Sequence, residues 1–369
     1  MHGRISHYQV REEDDMFNYE FLKPHYTAYW NRENHDRPLI WVLAPAANPL
    51  PDIPAPEAMK DKWEDIEYLV ASTRRQIENT YYGGEAIPVF NPNLGPDILG
   101  AIAGCELEYG QDTSWAVHCV HNWDDYPELV FNTNNRYWKK IEAITKAAVE
   151  DAQGDYLVGI TDLHPGTDGL ASLRGPQELC LDMLDNGKQI KARVDQLFEI
   201  YKEVYMRLEA IISPHQEGST NWMGIWHPSK RWYVTGCDFS CMINSDAYEE
   251  FVVPGLIKEL AFLDASIYHL DGPGALRHVD RILELPQLNG IQWVYGAGQP
   301  GARHWLALLK KIQKAGKLIH INCRLADVET VCSELEPEGV LLVVEGCQSP
   351  SEAEDLLRLA QKASANRGC

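Results

Sequence analysis

The sequence predicts an α/β fold, a single (β/α)8 (TIM) barrel preceded by an N-terminal polar arm. Eight short apolar runs, rich in β-branched and aromatic residues, alternate with longer stretches whose apolar residues recur at helical spacing. Such alternation over a whole chain is typical of parallel strands, and a chain of 369 residues can form one barrel of this kind. We therefore divide the chain into an arm, 1–38, and a barrel, 39–369. A doubly wound open sheet is the alternative, but no Gly-x-Gly-x-x-Gly follows the first run.

The predicted elements follow in order along the chain. The first strand begins at Leu39 and is closed by Ala44-Pro45, where a proline-rich loop begins. The strands are expected at about 39–43, 87–91, 156–161, 221–226, 266–270, 290–295, 317–322 and 339–344. Helices are expected at about 57–80, 136–153, 176–212, 246–263, 274–284, 302–315, 325–334 and 350–365.

The charge of the chain excludes several kinds of partner. Lys and Arg number 33 against 54 Asp and Glu, which gives a net charge of −21. With no basic block, this charge argues against nucleic acid and anionic membranes as partners. The stretch from Met1 to Met16 is polar and no long apolar segment occurs, so we expect neither a signal peptide nor a membrane span. The nine cysteines form no Cys-x-x-Cys pair, which favours free thiols and a cytoplasmic location.

Polar side chains gather where the predicted strands end. In a (β/α)8 barrel the active site lies at the C-terminal ends of the strands, so these side chains are the candidates for chemistry. They are Asp162, His164, Trp226, His269, Asp271, Tyr295, His320, Asn322, Glu345 and Cys347.

His269 and Asp271 are the sharpest pair among these candidates. Residues two apart on a strand lie on one face, so both side chains can reach the same metal ion or substrate. Cys347 follows the last strand, and an imidazole, a carboxylate and a thiolate together suit Zn²⁺ with an open fourth position. Hydrogen bonding to a substrate is the alternative role for these residues. Cys237 and Cys241 form a weaker metal pair, and we favour a polar loop before a helix that starts near Ser245.

Aromatic residues are dense near the predicted fourth strand. Trp222 and Trp226 would share one face of a strand over 221–226. They predict an aromatic-lined mouth for a flat or methylated substrate. Packing in the core is the alternative.

Four segments resemble the uroporphyrinogen decarboxylase superfamily. His269-Leu270-Asp271-Gly272 is similar to its His-x-Cys-Gly strand end, and Gly346-Cys347 to its last-strand site. Met242 to Pro254 resembles the segment before the fifth strand, and Leu170 to Leu181, with Arg174-Gly175-Pro176, resembles the helix after the third. The resemblance runs from about 37 to 365 and implies a (β/α)8 barrel.

The superfamily has two chemistries, and the sequence favours the second. Its decarboxylases carry Arg-Gln-Ala-Gly-Arg after the first strand to bind substrate carboxylates, whereas this chain has Ala44-Pro45-Ala46-Ala47-Asn48. Without those cations a polycarboxylate has no bidentate partner there. The other branch transfers methyl groups to or from a corrinoid, often with zinc. Carried over, its ligands are His269, Cys347 and Asp271, the last in place of cysteine, which makes a harder site.

The resemblance therefore implies a zinc-assisted methyltransferase or demethylase. It would move a methyl group from a small methylated substrate, such as an aromatic methyl ether, to a corrinoid on a partner protein. His320, Asp162 or Glu345 would supply or hold the proton of the leaving group. Trp222, Trp226, Tyr295, Asn322 and His164 would bind the substrate. A cofactor-free decarboxylase and a non-catalytic binder of tetrapyrrole or corrinoid are the alternatives.

Overall fold

The computed structural model describes residues 19–366 as a mixed α/β fold. Its strands are β1 Leu39–Pro45, β2 Thr80–Gly84, β3 Val89–Phe90, β4 Glu106–Tyr109, β5 Ser114–Val117, β6 Leu157–Val158, β7 Trp232–Gly236, β8 Ala265–Asp271, β9 Gly290–Val294, β10 Leu318–Arg324 and β11 Val340–Glu345. Its helices are α1 Tyr19–Asn31, α2 Met59–Glu64, α3 Ile66–Glu78, α4 Ile98–Ala103, α5 Arg136–Ala152, α6 Gly166–Arg174, α7 Pro176–Asp185, α8 Gly187–Ile212, α9 Ser245–Ala247, α10 Val253–Phe262, α11 Gly272–Ala275, α12 Val279–Leu283, α13 Leu306–Lys314, α14 Val328–Glu334 and α15 Pro350–Ala365.

The strand order is compatible with a TIM-barrel-like fold. The main sheet runs β2-β1-β11-β10-β9-β8-β7, and every pair in it is parallel except β1 with β2. The first long strand therefore lies beside the last, as in a barrel. A doubly wound sheet instead reverses its strand order in the middle.

The described strands do not close into one hydrogen-bonded barrel. β3 and β6 form a separate parallel pair. Between this pair and β7, an isolated bridge joins Ile160 to Asn221, where a closed barrel would have a continuous ladder of backbone hydrogen bonds. The expected closed (β/α)8 barrel is thus present only as a barrel-like arrangement of these two parallel groups.

The predicted fourth strand is wrong, and the reason is local turn chemistry. The Asn221 side chain accepts a hydrogen bond from the Met223 amide at 3.0 Å, and Gly224 takes a positive φ of 79°. A Cβ at Gly224 would meet the Trp41 ring at 2.7 Å, so the turn also needs glycine for space. The real strand at this place is β7, whose run of aromatic and β-branched residues is typical of a buried strand.

Two apolar cores lie on the two faces of the strands. The larger packs the strands against the surrounding helices. The smaller lies on the opposite face and includes Ala265 and Ile267 of β8 and Leu318 of β10. Helix α1, the described part of the predicted arm, adds the fully buried Leu22, Tyr26 and Tyr29 to this inner core.

Trp226 lies at the α1 side of the inner core and not at the ends of the strands where the mouth was predicted. Its ring packs edge-on against Tyr19 and Tyr26, with centroid distances of 5.6 and 6.3 Å. Its Nε1 donates to the Glu217 carbonyl at 2.9 Å, and its own carbonyl accepts from Trp30. The turn at Gly224 separates Trp226 from Trp222, so the two do not share one face.

None of the helices between residues 19 and 366 combines the length and the apolar character needed to cross a bilayer. The cytoplasmic location expected from the sequence stays a prediction.

Replacing Trp226 should cost stability and leave substrate binding intact. We expect Trp226→Ala to lower the free energy of unfolding by about 3–5 kcal/mol, because it empties a large buried volume. Urea denaturation followed by fluorescence measures this. Trp115→Ala, which removes an indole that is 47% exposed, is the control and should cost less than about 1 kcal/mol. A nearly unchanged stability would contradict a structural role for Trp226.

Candidate functional site

Three inward-facing side chains form a polar row across neighbouring strands. The parallel register places His269 of β8 opposite Gln292 of β9, and Gln292 opposite His320 of β10. Two residues before His269, Ile267 still belongs to the apolar inner core. Since alternate residues of a strand share a face, the row marks the point where the inner face changes from apolar to polar.

His269, Asp271 and Asp238 form a cluster at the C-terminal ends of β7 and β8. Their nearest donor atoms all lie within 4.8 Å of one another. His269 Nδ1 is 2.5 Å from Gln292 Oε1, and an amide oxygen can only accept, so Nδ1 carries the proton. The second ring nitrogen, Nε2, then faces the carboxylates, with Asp238 Oδ1 3.8 Å away. Fixing the ring through its second nitrogen is how proteins prepare a histidine for metal binding.

Asp168 holds the segment that carries Asp238. It lies on α6, and its carboxylate accepts from the backbone amides of Asp238 at 2.9 Å and Phe239 at 2.8 Å. Burial and the neighbouring Asp238 carboxylate raise the pKa of Asp168, while these amides and His164 oppose the rise. The third side chain of the cluster, Asp238, is therefore positioned by the Asp168 carboxylate.

His164 supplies positive charge next to these carboxylates. Its Nε2 is 2.9 Å from Asp162 Oδ1 and its Nδ1 is 4.0 Å from Asp168 Oδ2. Burial alone would lower the pKa of His164, but the carboxylates of Asp162, Asp168 and Asp238 raise it to about 10. The imidazole is therefore charged at neutral pH, and it partly balances the acidic groups around it.

Glu259 on α10 lies behind this group and is 4% exposed. Burial and the Asp168 carboxylate raise its pKa to about 8, although His164 acts in the opposite direction. A protonated Glu259 at neutral pH adds no further negative charge to the cluster.

A narrow pocket opens between the two histidines. It is lined by His164, His269 and Trp222 and by the C-terminal half of β7. The Trp222 ring stands edge-on to the His269 ring at 5.5 Å. An indole beside a cluster of oxygen and nitrogen donors can hold an apolar group against a polar centre.

The solved structures that share this fold include one of low sequence identity. A methyltransferase from Methanosarcina mazei matches with a TM-score of 0.57 and 12% identity, over 92% of this chain and 98% of that chain. No known family profile matches the sequence, and no curated protein is significantly similar to it. At 12% identity, the shared fold is what the comparison shows.

The structure brings together two of the three predicted metal ligands, and Asp238 joins them in place of Cys347. His269 and Asp271 lie together with Asp238. Cys347 is 4% exposed and packs in the core between strands and helices. Burial raises the pKa of its thiol, which disfavours the thiolate that a metal needs.

The proton-transfer candidates lie in different surroundings. His320 is 3% exposed, and neither of its ring nitrogens has a hydrogen-bond partner among the described residues. Burial and the nearby His269 lower its pKa to about 3, which disfavours the protonated form of His320. Asp162 pairs with His164, and Glu345 accepts from Asn322 Nδ2 at 2.8 Å.

The remaining substrate-binding candidates divide between the pocket and its surroundings. Trp222 and His164 line the pocket beside His269. Tyr295 is half-buried and packs against the outer core, where burial raises its pKa. Asn322 lies on β10 two residues beyond His320, and its amide is bound to Glu345.

Sequence reasoning missed Asp238, Asp168, Gln292 and Glu259. Asp238 comes two residues after β7, so recognising Trp232–Gly236 as a strand would have found it by the strand-end rule. Gln292 alternates with Gly290 on the inner face of β9, in register with His269. Asp168 and Glu259 lie on helices, and no local pattern reveals that they are buried together.

Glu259 should make stability depend on pH. Because folding raises its pKa from 4.5 to about 8, its contribution is complete below about pH 4.5 and is lost as pH rises through 8. We therefore expect Glu259→Gln to gain stability relative to the parent between pH 5 and pH 8.5, measured by urea denaturation. Glu329→Gln, on the exposed side of α14, controls for the loss of one carboxylate. Equal differences at both pH values would contradict a protonated Glu259.

Proposed function

We propose that the chain is a methyltransferase that moves a methyl group from a small methylated substrate to a corrinoid carried by a partner protein, with a divalent metal ion at Asp238, His269 and Asp271. The observation that carries the proposal is the donor cluster with His269 fixed through Gln292. Two further findings support it. The chain shares its fold with a protein named a methyltransferase, and the sequence around His269 resembles the methyl-transferring branch described above.

The residues of the cluster fit a zinc ion. One imidazole and two carboxylates leave a tetrahedral ion an open position. Donor atoms within 4.8 Å of one another reach bond lengths of about 2.0–2.2 Å after small side-chain rotations. The set is harder than one with thiolates, because two of its ligands are oxygen. Bound there, Zn²⁺ would supply Lewis acidity towards the heteroatom that carries the methyl group.

The chain's own residues would orient the substrate and manage its proton. Trp222 provides an apolar wall in contact with His269, so a methyl ether or a similar group bound at the cluster would rest against the exposed part of the indole. His164 is protonated and lines the same pocket. We therefore assign it the role of proton donor to the leaving heteroatom, in place of His320.

Metal binding should follow the cluster that the structure forms. We expect Asp238→Ala and His269→Ala to abolish stoichiometric zinc after gel filtration, and Gln292→Ala to weaken zinc binding about 10–100-fold through loss of the ring's hydrogen bond. Elemental analysis and competition with a zinc-binding dye measure this. Cys347→Ser is the matched control and should bind as the parent does. Loss of zinc in Cys347→Ser with retention in Asp238→Ala would instead favour the ligand set predicted from the sequence.

The activity itself can be tested with free cob(I)alamin as the methyl acceptor. We expect zinc-loaded protein to convert cob(I)alamin to methylcobalamin with at least one donor from a panel of methyl ethers, methylamines and methyl thioethers, followed by visible absorbance. Trp222→Ala should raise KM for aromatic donors more than it lowers kcat, because it removes binding surface. His164→Gln should lower kcat.

A different outcome would redirect the proposal. If no donor transfers its methyl group from zinc-loaded protein, while a carboxylated substrate releases CO₂ without corrinoid, the chain is a decarboxylase. Zinc binding without either reaction would also contradict the proposed activity.

A further inference from the structure

A pair of thiols lies in contact away from the candidate site. Cys105 Sγ and Cys119 Sγ are 3.3 Å apart. Cys105 immediately precedes β4 and Cys119 follows β5, and these two strands form an antiparallel hairpin in which Glu106 is opposite Val117. The thiols therefore face each other across the base of the hairpin.

The two thiols differ in access and in surroundings. Cys105 is 1% exposed, and its Sγ lies 3.3 Å from the Ser172 carbonyl oxygen. Cys119 is half-buried, and its Sγ is 3.5 Å from the Tyr126 hydroxyl. Gly104 allows this approach, because a Cβ there would lie 2.3 Å from the Tyr126 oxygen. Cys119 is thus the thiol that a small reagent reaches first.

The same contacts favour a thiolate on Cys119. The hydrogen bond from Cys105 lowers the pKa of Cys119 to about 6, with a smaller contribution from Tyr126, while burial acts in the opposite direction. The same contact and burial raise the pKa of Cys105. Since the thiolate is the reactive form, Cys119 has the character of an attacking thiol, and Cys105 is a neighbouring thiol placed to resolve the product.

We propose that Cys105 and Cys119 are a redox-modification site, which a small hydroperoxide converts into a disulfide that clamps the base of the β4–β5 hairpin. The Cys119 sulfur attacks the peroxide O–O bond and gives a sulfenic acid and one water. The Cys105 thiol then attacks that sulfur, the S–O bond breaks, and a second water leaves with the Cys105 proton. In total two thiols and one H₂O₂ give one disulfide and two waters. The sulfurs then lie at a bond length of about 2.05 Å.

The size of the oxidant follows from the burial of the pair. A peroxide is small enough to reach the half-buried sulfur of Cys119. A bulkier oxidant, such as a disulfide compound, would also have to displace the protein segment beside it. Cys105 is covered on its other side by the end of α6, so attack from solvent on Cys105 itself is blocked. The proposal is independent of methyl transfer, because neither thiol belongs to the candidate site.

Peptide mapping of the intact chain tests the proposal. The protein is treated with a small excess of H₂O₂, its remaining thiols are alkylated, and it is digested without reduction. We expect a cross-linked peptide pair that contains Cys105 and Cys119, lighter by two hydrogens than the separate peptides and separated by dithiothreitol. Cys105→Ala should give no cross-link and should gain oxygen on Cys119 instead. Cys180→Ser, which alters another half-buried cysteine, should form the cross-link as the parent does.

A second measurement keeps the test independent of folding defects. The pH profile of iodoacetamide labelling at Cys119 should have its midpoint near 6 in the parent and move upwards in Cys105→Ala, because the donor is lost. Recovery of both cysteines as separate alkylated peptides after peroxide would overturn the proposal. So would zinc bound by the pair that shields both thiols from peroxide and from alkylation.

Discussion

Repulsion among carboxylates is the constraint around which the site is built. Five acidic side chains lie close together in this region. Asp162, Asp238 and Asp271 lie at or after the C-terminal ends of β6, β7 and β8, and Asp168 and Glu259 lie on the helices α6 and α10. Like charges held this close and partly out of water repel one another by several kcal/mol unless they are compensated. The chain compensates the inner part in three ways. His164 is held protonated, backbone amides solvate Asp168, and Glu259 keeps its proton.

The outer part of the group keeps an excess of carboxylates, although His164 and His269 offset part of it. Asp238 and Asp271 lie beside the His269 Nε2, and the other ring nitrogen, Nδ1, is bound to Gln292. Partial burial and the charge of Asp238 raise the pKa of Asp271. A divalent cation removes this imbalance directly, because it adds positive charge where two carboxylates and one ring nitrogen already lie. The electrostatics and the donor chemistry thus favour the same occupant.

Active-site residues of a barrel are expected at the C-terminal ends of its strands. This rule found site residues where a strand was recognised and missed them where a strand was not. His269 and Asp271 were paired correctly because alternation on a strand is a local property that the sequence reveals. Asp238 was overlooked because 232–236 was not recognised as a strand. The turn segment 221–226 was predicted as the strand in its place. The error also misplaced Trp226, whose neighbours come from α1, almost 200 residues earlier. Cys347 shows the same limit, because a position after a strand does not say whether the side chain turns inwards or into the outer core.

Helix α6 contacts both the segment that carries Asp238 and the thiol pair of Cys105 and Cys119. Asp168, in its first turn, fixes the backbone of the Asp238 segment. One turn later, the Ser172 carbonyl oxygen lies 3.3 Å from the Cys105 Sγ, and the Leu173 carbonyl accepts from the amides of Cys119 and Val120. Ser172 Oγ also donates to Asp97, so the end of α6 is tied to the segment that precedes α4. The nine residues of α6 therefore contact both the segment that carries Asp238 and the segment that carries Cys119, so one helix supports the thiol pair and a proposed metal ligand although they do not share chemistry.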